Sequence, residues 1–120
     1  MTPRPITAAD PGSVRVVIVT MDSHLAAAVD RAQRTLERSI PGLKISLHAA
    51  ADWELDPASL QRCKDDIAKG DIILANMLFM EDHIRAVLPD LQARRDHCDA
   101  MIGCLSAGEV IKLTRLGSFS

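Results

Sequence analysis

The chain has 120 residues, of which 48% are apolar and only 2% aromatic, and its formal net charge is −2. A chain of this length forms one domain and buries roughly two-thirds of its unfolded surface, enough for a core without metals or disulfides. The acidic balance and the scarcity of aromatic rings argue against nucleic-acid binding, which relies on basic surfaces and stacking platforms.

Cysteine usage and the first residues indicate the compartment. Cys63, Cys98 and Cys104 form no CxxC pair, which predicts reduced thiols in a cytoplasmic protein. Residues 1–13 contain three prolines and are predicted to be a flexible lead-in to a domain over 14–120. No segment has the apolar core of a signal peptide or enough apolar length to span a bilayer.

The first half of the chain predicts two strands with a helix between them. Val14–Thr20 is almost continuously apolar and β-branched, as in a central parallel strand covered on both faces. A helix follows, capped by Asp22 or Ser23 and ending near Pro41. In Leu43–Ala49 apolar and polar residues alternate, which predicts an edge strand with one solvated face. The polar residues of that face are Lys44, Ser46 and His48.

The second half repeats the strand and helix pattern. A second helix is predicted from Asp56-Pro57 to Gly70, followed by a buried third strand over 71–77. A third helix begins at Glu81, and Pro89 within it predicts a kink or a break. A fourth strand over 99–105 and a fourth helix over 107–116 complete the pattern.

Alternation of this kind predicts an α/β fold with a parallel sheet and right-handed crossovers. The edge-like second strand favours the order 2-1-3-4 of flavodoxin-like, Rossmann-like three-layer sandwiches. Such folds carry a fifth strand, which we expect beyond Ser120.

Ligands of these folds bind beyond the carboxyl ends of the strands. The loop after the first strand has no glycine-rich phosphate motif, which argues against a nucleotide site. Asn76 stands where a receiver domain needs an aspartate, so phosphotransfer is not expected.

The loop after the first strand nevertheless carries a candidate ligand. Asp22-Ser23-His24 resembles the D-x-H-x-x-G loop of cobalamin-binding domains, in which the histidine binds cobalt and the aspartate orients it. Ala27 replaces the glycine of that loop. The alternative is a helix N-cap beside a partly exposed histidine.

His24 and His83 both begin helices that follow strands predicted to be neighbours. The two histidines are therefore candidate binding residues for one flat apolar ligand such as a porphyrin. Met77, Phe79 and Met80 would form an apolar wall beside it. The alternative is that these apolar residues belong to the core or to a subunit interface.

Three carboxylates, Glu81, Asp82 and Glu109, are candidate oxygen ligands for Mg²⁺. The alternative is that they favour the positive ends of helices, where carboxylates are common. No arrangement of Ser, His, Cys and Asp at readable spacing predicts a catalytic residue.

Three segments resemble one family. VVIVTMDSH over 16–24 resembles its first strand and loop, and DIILANMLFMED over 71–82 resembles its third strand and an apolar-acidic turn. Residues 99–120, with the tail Leu-Gly-Ser-Phe, carry the closest resemblance. By these residues the chain resembles the N-terminal segment of the large, porphyrin-binding H subunit of magnesium chelatase, a relative of the cobalt chelatase large subunit.

This resemblance implies a parent enzyme that inserts Mg²⁺ into protoporphyrin IX for chlorophyll or bacteriochlorophyll synthesis. The large subunit would bind the porphyrin, and the I and D subunits would form the motor that hydrolyses ATP. Because the chain is far shorter than family members, the resemblance implies a non-catalytic scaffold or docking module. The alternatives are an autonomous tetrapyrrole-binding module that uses His24 and a ligand-free interaction domain.

Overall fold

The computed structural model describes residues 14–104, 106 and 108–116. The strands are β1 (Val14–Thr20), β2 (Leu43–Ala49), β3 (Ile72–Asn76), β4 (Ala100–Cys104) and β5 (Arg115–Leu116). The helices are α1 (Ala26–Leu36), α2 (Pro57–Lys69), α3 (Glu81–Arg94) and α4 (Gly108–Ile111), and a 3₁₀ turn covers Ala50–Asp52. The predicted lead-in over 1–13 lies outside the described residues.

The strands form one sheet in the order β2-β1-β3-β4-β5. The first four are parallel, which confirms the predicted α/β class and the order 2-1-3-4. β5 is antiparallel and pairs Arg115 with Met101 and Leu116 with Ala100. No fifth parallel strand is present within 14–104, 106 and 108–116.

The end of the described chain corrects one prediction. The fourth helix does not reach Leu116, because α4 stops at Ile111 and the chain turns back along β4. At this edge of β4 the Thr114 hydroxyl accepts the Gly103 N–H at 3.0 Å. A side chain thereby occupies the position that a neighbouring strand would take. Pro89 does not break α3, which continues through it.

The two faces of the sheet are covered unequally. On one, called here the packed face, Val17, Val19, Ile73, Ala75 and Met101 are all at most 2% exposed. They form one cluster with side chains of α2, α3 and α4. The other, called here the open face, carries the intervening residues of the central strands. The valine, isoleucine and leucine side chains of the central strands on this face are half-buried, and they are Val14, Val16, Ile18, Ile72, Leu74 and Ile102. Leu43 and Ala49 of β2, which the strand register places on the same face, are buried.

Only α1 is assigned to the open face. Right-handed crossovers place α1 opposite α2 and α3, because the connections from β1 to β2 and from β2 to β3 run in opposite directions. The Gln33 side chain donates to Leu43 O at 2.8 Å and accepts the Ile45 N–H at 2.7 Å. Among the described strands β2 has no neighbour on that side, so the Gln33 side chain satisfies part of its free edge.

The edge position of β2 is confirmed, but the expected solvated face is wrong for His48. Its side chain is 13% exposed, and its Nε2 lies 2.7 Å from Asp66 Oδ2 on α2. The polar residues that alternate with apolar ones in β2 therefore do not all face solvent, because His48 contacts a helix.

Asp71 joins three strands at the amino ends of the sheet. Its carboxylate accepts the Arg15 N–H at 2.9 Å, and its own N–H donates to Arg15 O at 2.9 Å. Its carbonyl accepts N–H groups from Asp99 and Ala100 at 2.7 and 3.2 Å. These bonds align β1, β3 and β4, so that their carboxyl ends meet at one rim.

Candidate functional site

A cleft of about 680 Å³ lies at the carboxyl ends of the strands. It spans the loops after β1 and β3, where the strand order reverses and ligands of open α/β sheets bind. Its volume falls within the roughly 300–1,000 Å³ of small-molecule sites. None of the helices in the part of the chain that the structure describes has the length and apolar character needed to cross a membrane.

Five segments of the chain build the walls of the cleft. Met21 and Asp22 come from the loop after β1, and Ala50 and Ala51 from the 3₁₀ turn after β2. The Ala51 N–H donates to Met21 O at 2.8 Å, which joins these two loops. The remaining walls come from Trp53, from α2 and from the first two turns of α3.

Trp53 and His83 meet in the wall of the cleft. Trp53 is 7% exposed, and its ring meets the His83 ring edge-on at a centroid distance of 6.0 Å and an angle of 75°. The Nδ1 atom of His83 is buried and has no hydrogen-bond partner. A buried polar atom without a hydrogen-bond partner lowers the stability of a protein by about 1–3 kcal/mol. A ligand in the cleft that hydrogen-bonds to this nitrogen would remove that cost.

His24 does not line the cleft, so the structure does not bring the two predicted histidines together there. Its Nδ1 is hydrogen-bonded to Asp22 Oδ1, which also accepts the His24 N–H at 3.1 Å. These bonds lower the pKa of the Asp22 carboxyl from its ordinary value. Asp22 and His24 thus form a local turn, and the predicted cap is wrong because Leu25 is the N-cap without a side-chain bond.

The predicted apolar wall is divided between two surroundings. Met80 lines the cleft, whereas Met77 and Phe79 do not. Phe79 and Met80 are each 54% exposed, and Leu78 between Met77 and Phe79 is fully buried. Leu78 is held in place because its N–H donates to Ser106 Oγ at 2.9 Å. Met77 has a φ of 62°, in the left-handed region.

The three predicted magnesium ligands are dispersed. Glu81 is paired with Arg85 one turn along α3, Asp82 lines the cleft, and Glu109 is exposed on α4. Glu81 and Asp82 do occupy the first turn of α3. Among residues 14–104, 106 and 108–116, no group of three or more His, Cys, Asp or Glu side chains is placed to hold a metal ion.

All three cysteines are free thiols. Burial, followed by the nearby carboxylates of Asp66 and Asp90, raises the pKa of the Cys63 thiol to about 12. Burial also raises the pKa of Cys98, despite the opposing charge of Arg94. Thiols held in their neutral form are poor nucleophiles, so Cys63 and Cys98 act as small core residues.

The sequence interpretation missed the contribution of the segment after β2. Trp53 and Glu54 line the cleft, together with Leu60 from α2. One signal was available: this segment follows a strand predicted to be parallel to β1, so it had to reach the same rim. The only tryptophan of the chain lies in it.

Comparisons with known proteins match almost the whole described fold. Residues 15–120 match the family described as "Domain of unknown function (DUF3479)". The chain is 43% identical over 102 residues to the H subunit of magnesium chelatase from Cereibacter sphaeroides, covering 85% of this chain and 8% of that protein. It is 38% identical over 107 residues to the corresponding protein of Rhodobacter capsulatus, covering 89% and 9%.

A plant protein is a more distant relative. Identity to the chloroplastic ChlH protein of magnesium chelatase from Oryza sativa subsp. indica is 26% over 110 residues, covering 89% of this chain and 8% of the plant protein. The chain therefore spans less than a tenth of the length of these relatives.

Proposed function

Because the chain belongs to the DUF3479 family and is 38–43% identical to two magnesium-chelatase H subunits, we propose that it is a module of such a protein. The module acts as a non-catalytic scaffold or docking domain at the N-terminal end of the large subunit. The parent enzyme inserts Mg²⁺ into protoporphyrin IX for chlorophyll or bacteriochlorophyll synthesis. The I and D subunits hydrolyse ATP to drive that reaction in the cytoplasm.

One observation carries this proposal, which is the 43% identity across 102 residues of the chain. The share of the relatives that the chain covers, 8% and 9%, supports the non-catalytic role, because most of the large subunit lies outside the match. Insertion requires removal of two pyrrole protons and dehydration of Mg²⁺. The proposal assigns both steps to the rest of the large subunit.

A chimera tests the proposal. The matching segment of the Cereibacter sphaeroides protein is replaced with residues 15–120 of this chain. Formation of magnesium protoporphyrin is then followed by fluorescence in the presence of the I and D subunits and ATP. We expect the chimera to retain activity and a matched deletion of the segment to lose it. A folded but inactive chimera, or a fully active deletion variant, would contradict the proposal.

A second candidate function is tetrapyrrole binding in the cleft, and the geometry of the cleft favours it. Trp53, Met80 and Ala86 supply apolar surface, while Asp82 and His83 supply polar groups. This combination is typical of sites for largely apolar ligands with a few polar substituents. In this version His83 takes the role that the sequence interpretation gave to His24.

A titration separates this candidate from a ligand-free module. The chain is titrated with a soluble protoporphyrin analogue, and both the Soret band and the fluorescence of Trp53 are followed. Saturable binding that His83→Ala weakens would support the cleft, with the exposed His97→Ala as the control. His24→Ala then reports whether the loop after β1 contributes. If folded protein shows no binding in the titration, the tetrapyrrole-binding candidate is contradicted and only the docking role remains.

A further inference from the structure

The charge of the cleft is a feature that the proposed function does not use. Three carboxylates, Asp22, Glu54 and Asp82, line the cleft, and none of the described residues that line it is lysine or arginine. The bonds from His24 lower the pKa of the Asp22 carboxyl, so this group stays ionised at neutral pH. A lining of this kind attracts cationic groups and repels carboxylates of a ligand.

The positive charges nearest in sequence do not offset these carboxylates. Arg62 pairs with Asp56 at 3.2 Å and Arg85 pairs with Glu81, and neither arginine lines the cleft. The start of α3 at the cleft contributes the positive end of a helix dipole, equivalent to about half an elementary charge. Three unit negative charges outweigh it, so the cleft remains negative.

Apolar and charged groups occupy different depths of the cleft. The buried lining residues, Ala50 and Trp53, are apolar, whereas Glu54 and Asp82 are exposed. The cleft therefore has an apolar floor and an acidic mouth. Lysine and arginine side chains match this arrangement, because an apolar stem carries their charged head.

Two ring nitrogens in the cleft wall are without partners. The buried Nδ1 of His83 has none, and the indole N–H of Trp53 donates to no described residue although that side chain is 7% exposed. A polypeptide backbone offers both N–H donors and C=O acceptors. A simple amine offers donors alone, so the unpartnered nitrogens favour a peptide ligand.

Exposed apolar side chains extend beyond the cleft. Leu55 is 91% exposed and follows Glu54, and Phe79 is 54% exposed and precedes Met80. A small molecule within the cleft would leave both in water. A polypeptide crossing the cleft can also cover Leu55 and Phe79, as is usual where exposed apolar groups adjoin a binding groove.

We propose that the cleft docks a basic segment of a partner protein, in which lysine or arginine side chains alternate with apolar ones. The cationic heads pair with Glu54 and Asp82, and the apolar side chains pack on Trp53 and Met80. This inference rests on the docking role proposed above and names the chemistry of the partner. The same charge disfavours a dicarboxylate tetrapyrrole in the cleft.

A peptide titration tests the proposal. The probe is a dye-labelled synthetic peptide of leucine and lysine without tryptophan, and its counterpart carries glutamate in place of lysine. Binding to residues 1–120 is followed by peptide anisotropy and by Trp53 fluorescence in about 0.1 M salt, where the Debye length is about 10 Å. We expect the lysine peptide to bind at least about tenfold more tightly than the glutamate peptide.

A pair of matched variants separates the cleft from the overall charge of the protein. Glu54→Gln combined with Asp82→Asn should weaken binding of the lysine peptide at least about threefold. The control combines Asp30→Asn with Glu37→Gln, which makes the same charge change at exposed positions outside the cleft and should leave binding unchanged. All four positions are exposed, and circular dichroism checks that each variant is folded.

Several results would overturn the proposal. Equal weakening by the two double variants would show that the peptide responds to net charge alone, and absence of binding would exclude the site. Equally tight binding of hexylamine, or tighter binding of a dicarboxylate porphyrin, would identify another class of ligand. An inactive chimera with normal peptide binding would contradict the parent assignment only. An active chimera with no peptide binding would contradict this inference only.

Discussion

The packed face and the open face are made by the same strands and nearly the same residue types, yet the aliphatic residues of the central strands are fully buried on only one of them. Ile73 is fully buried and its neighbour Leu74 is not, although both are aliphatic residues of β3. Full burial of such a side chain is worth about 1.5–3 kcal/mol relative to full exposure. The apolar character of a strand therefore does not by itself decide how deeply each of its side chains is buried, because the elements packed on each face decide that.

The largest expected effect tests this comparison directly within β3. We expect Ile73→Ala to lower the free energy of unfolding by about 2–5 kcal/mol, since it leaves a cavity in the packed face. Leu74→Ala should cost less than half as much, because its side chain is already partly in water. Urea denaturation of residues 1–120 measures both values. Equal losses would show that the two faces are equally packed.

The contact between α4 and β4 gives the next largest effect. A Cβ at Gly103 would lie 2.4 Å from the backbone oxygen of Val110, so Gly103→Ala must displace α4. We expect a loss of about 1–3 kcal/mol, as for other overpacked sites. Gly108→Ala is the matched control, since nothing lies within 4 Å of a Cβ there. Similar stability of the two variants would mean that α4 is not docked on the packed face.

A third prediction uses the pH dependence of the packed face. The pKa of Cys63 is about 12 in the folded protein, against an ordinary value of 9.0. Above pH 9 the unfolded chain loses this proton and the folded protein keeps it, so stability falls as pH rises. The expected loss from this group is on the order of 1 kcal/mol at pH 10.

Denaturation at pH 8 and pH 10 measures this loss, and Cys63→Ala is the control that cannot ionise. The variant should lose less stability than the original chain between these two pH values. An identical pH dependence would show that Cys63 reaches solvent in the folded state.

The local sequence pattern predicted those strands and helices whose residue periodicity and end signals lie within the element itself. The run VRVVIVT is β1 residue for residue, and the Asp56-Pro57 start and Gly70 stop bracket α2. The order of the parallel strands followed from the alternation in β2. These features depend on periodicity and on helix end signals, which are readable over a few residues.

Features that depend on distant partners were not predicted. The end of α4 is decided by pairing of Arg115 with Met101 on β4. The burial of His48 depends on Asp66 of α2. In the candidate site, Met80, Asp82 and His83 were named from the sequence and line the cleft, whereas Trp53 was not connected with them. Its role follows from the contact with His83, which only the tertiary arrangement creates.

The smallest expected effect concerns Met77, the residue that follows the end of β3. Its φ of 62° costs an L-residue about 1–2 kcal/mol, and the turn directs the chain so that Leu78 enters the core while Phe79 stays exposed. Met77→Gly relieves this cost but adds about 0.5–1 kcal/mol of backbone entropy to the unfolded state. We therefore expect a gain in stability of up to about 1 kcal/mol, measured by thermal or urea denaturation.

Met77→Val provides the opposite control, because a β-branched side chain tolerates the left-handed region poorly. Opposite signs for the two variants would establish that the backbone at position 77 is held in this conformation by its surroundings. Two losses of similar size would instead mean that the methionine side chain itself is needed. If the signs are opposite, the turn is maintained by Leu78, whose N–H is bonded to Ser106. Packing of Leu78 in the core then determines where α3, one wall of the cleft, begins.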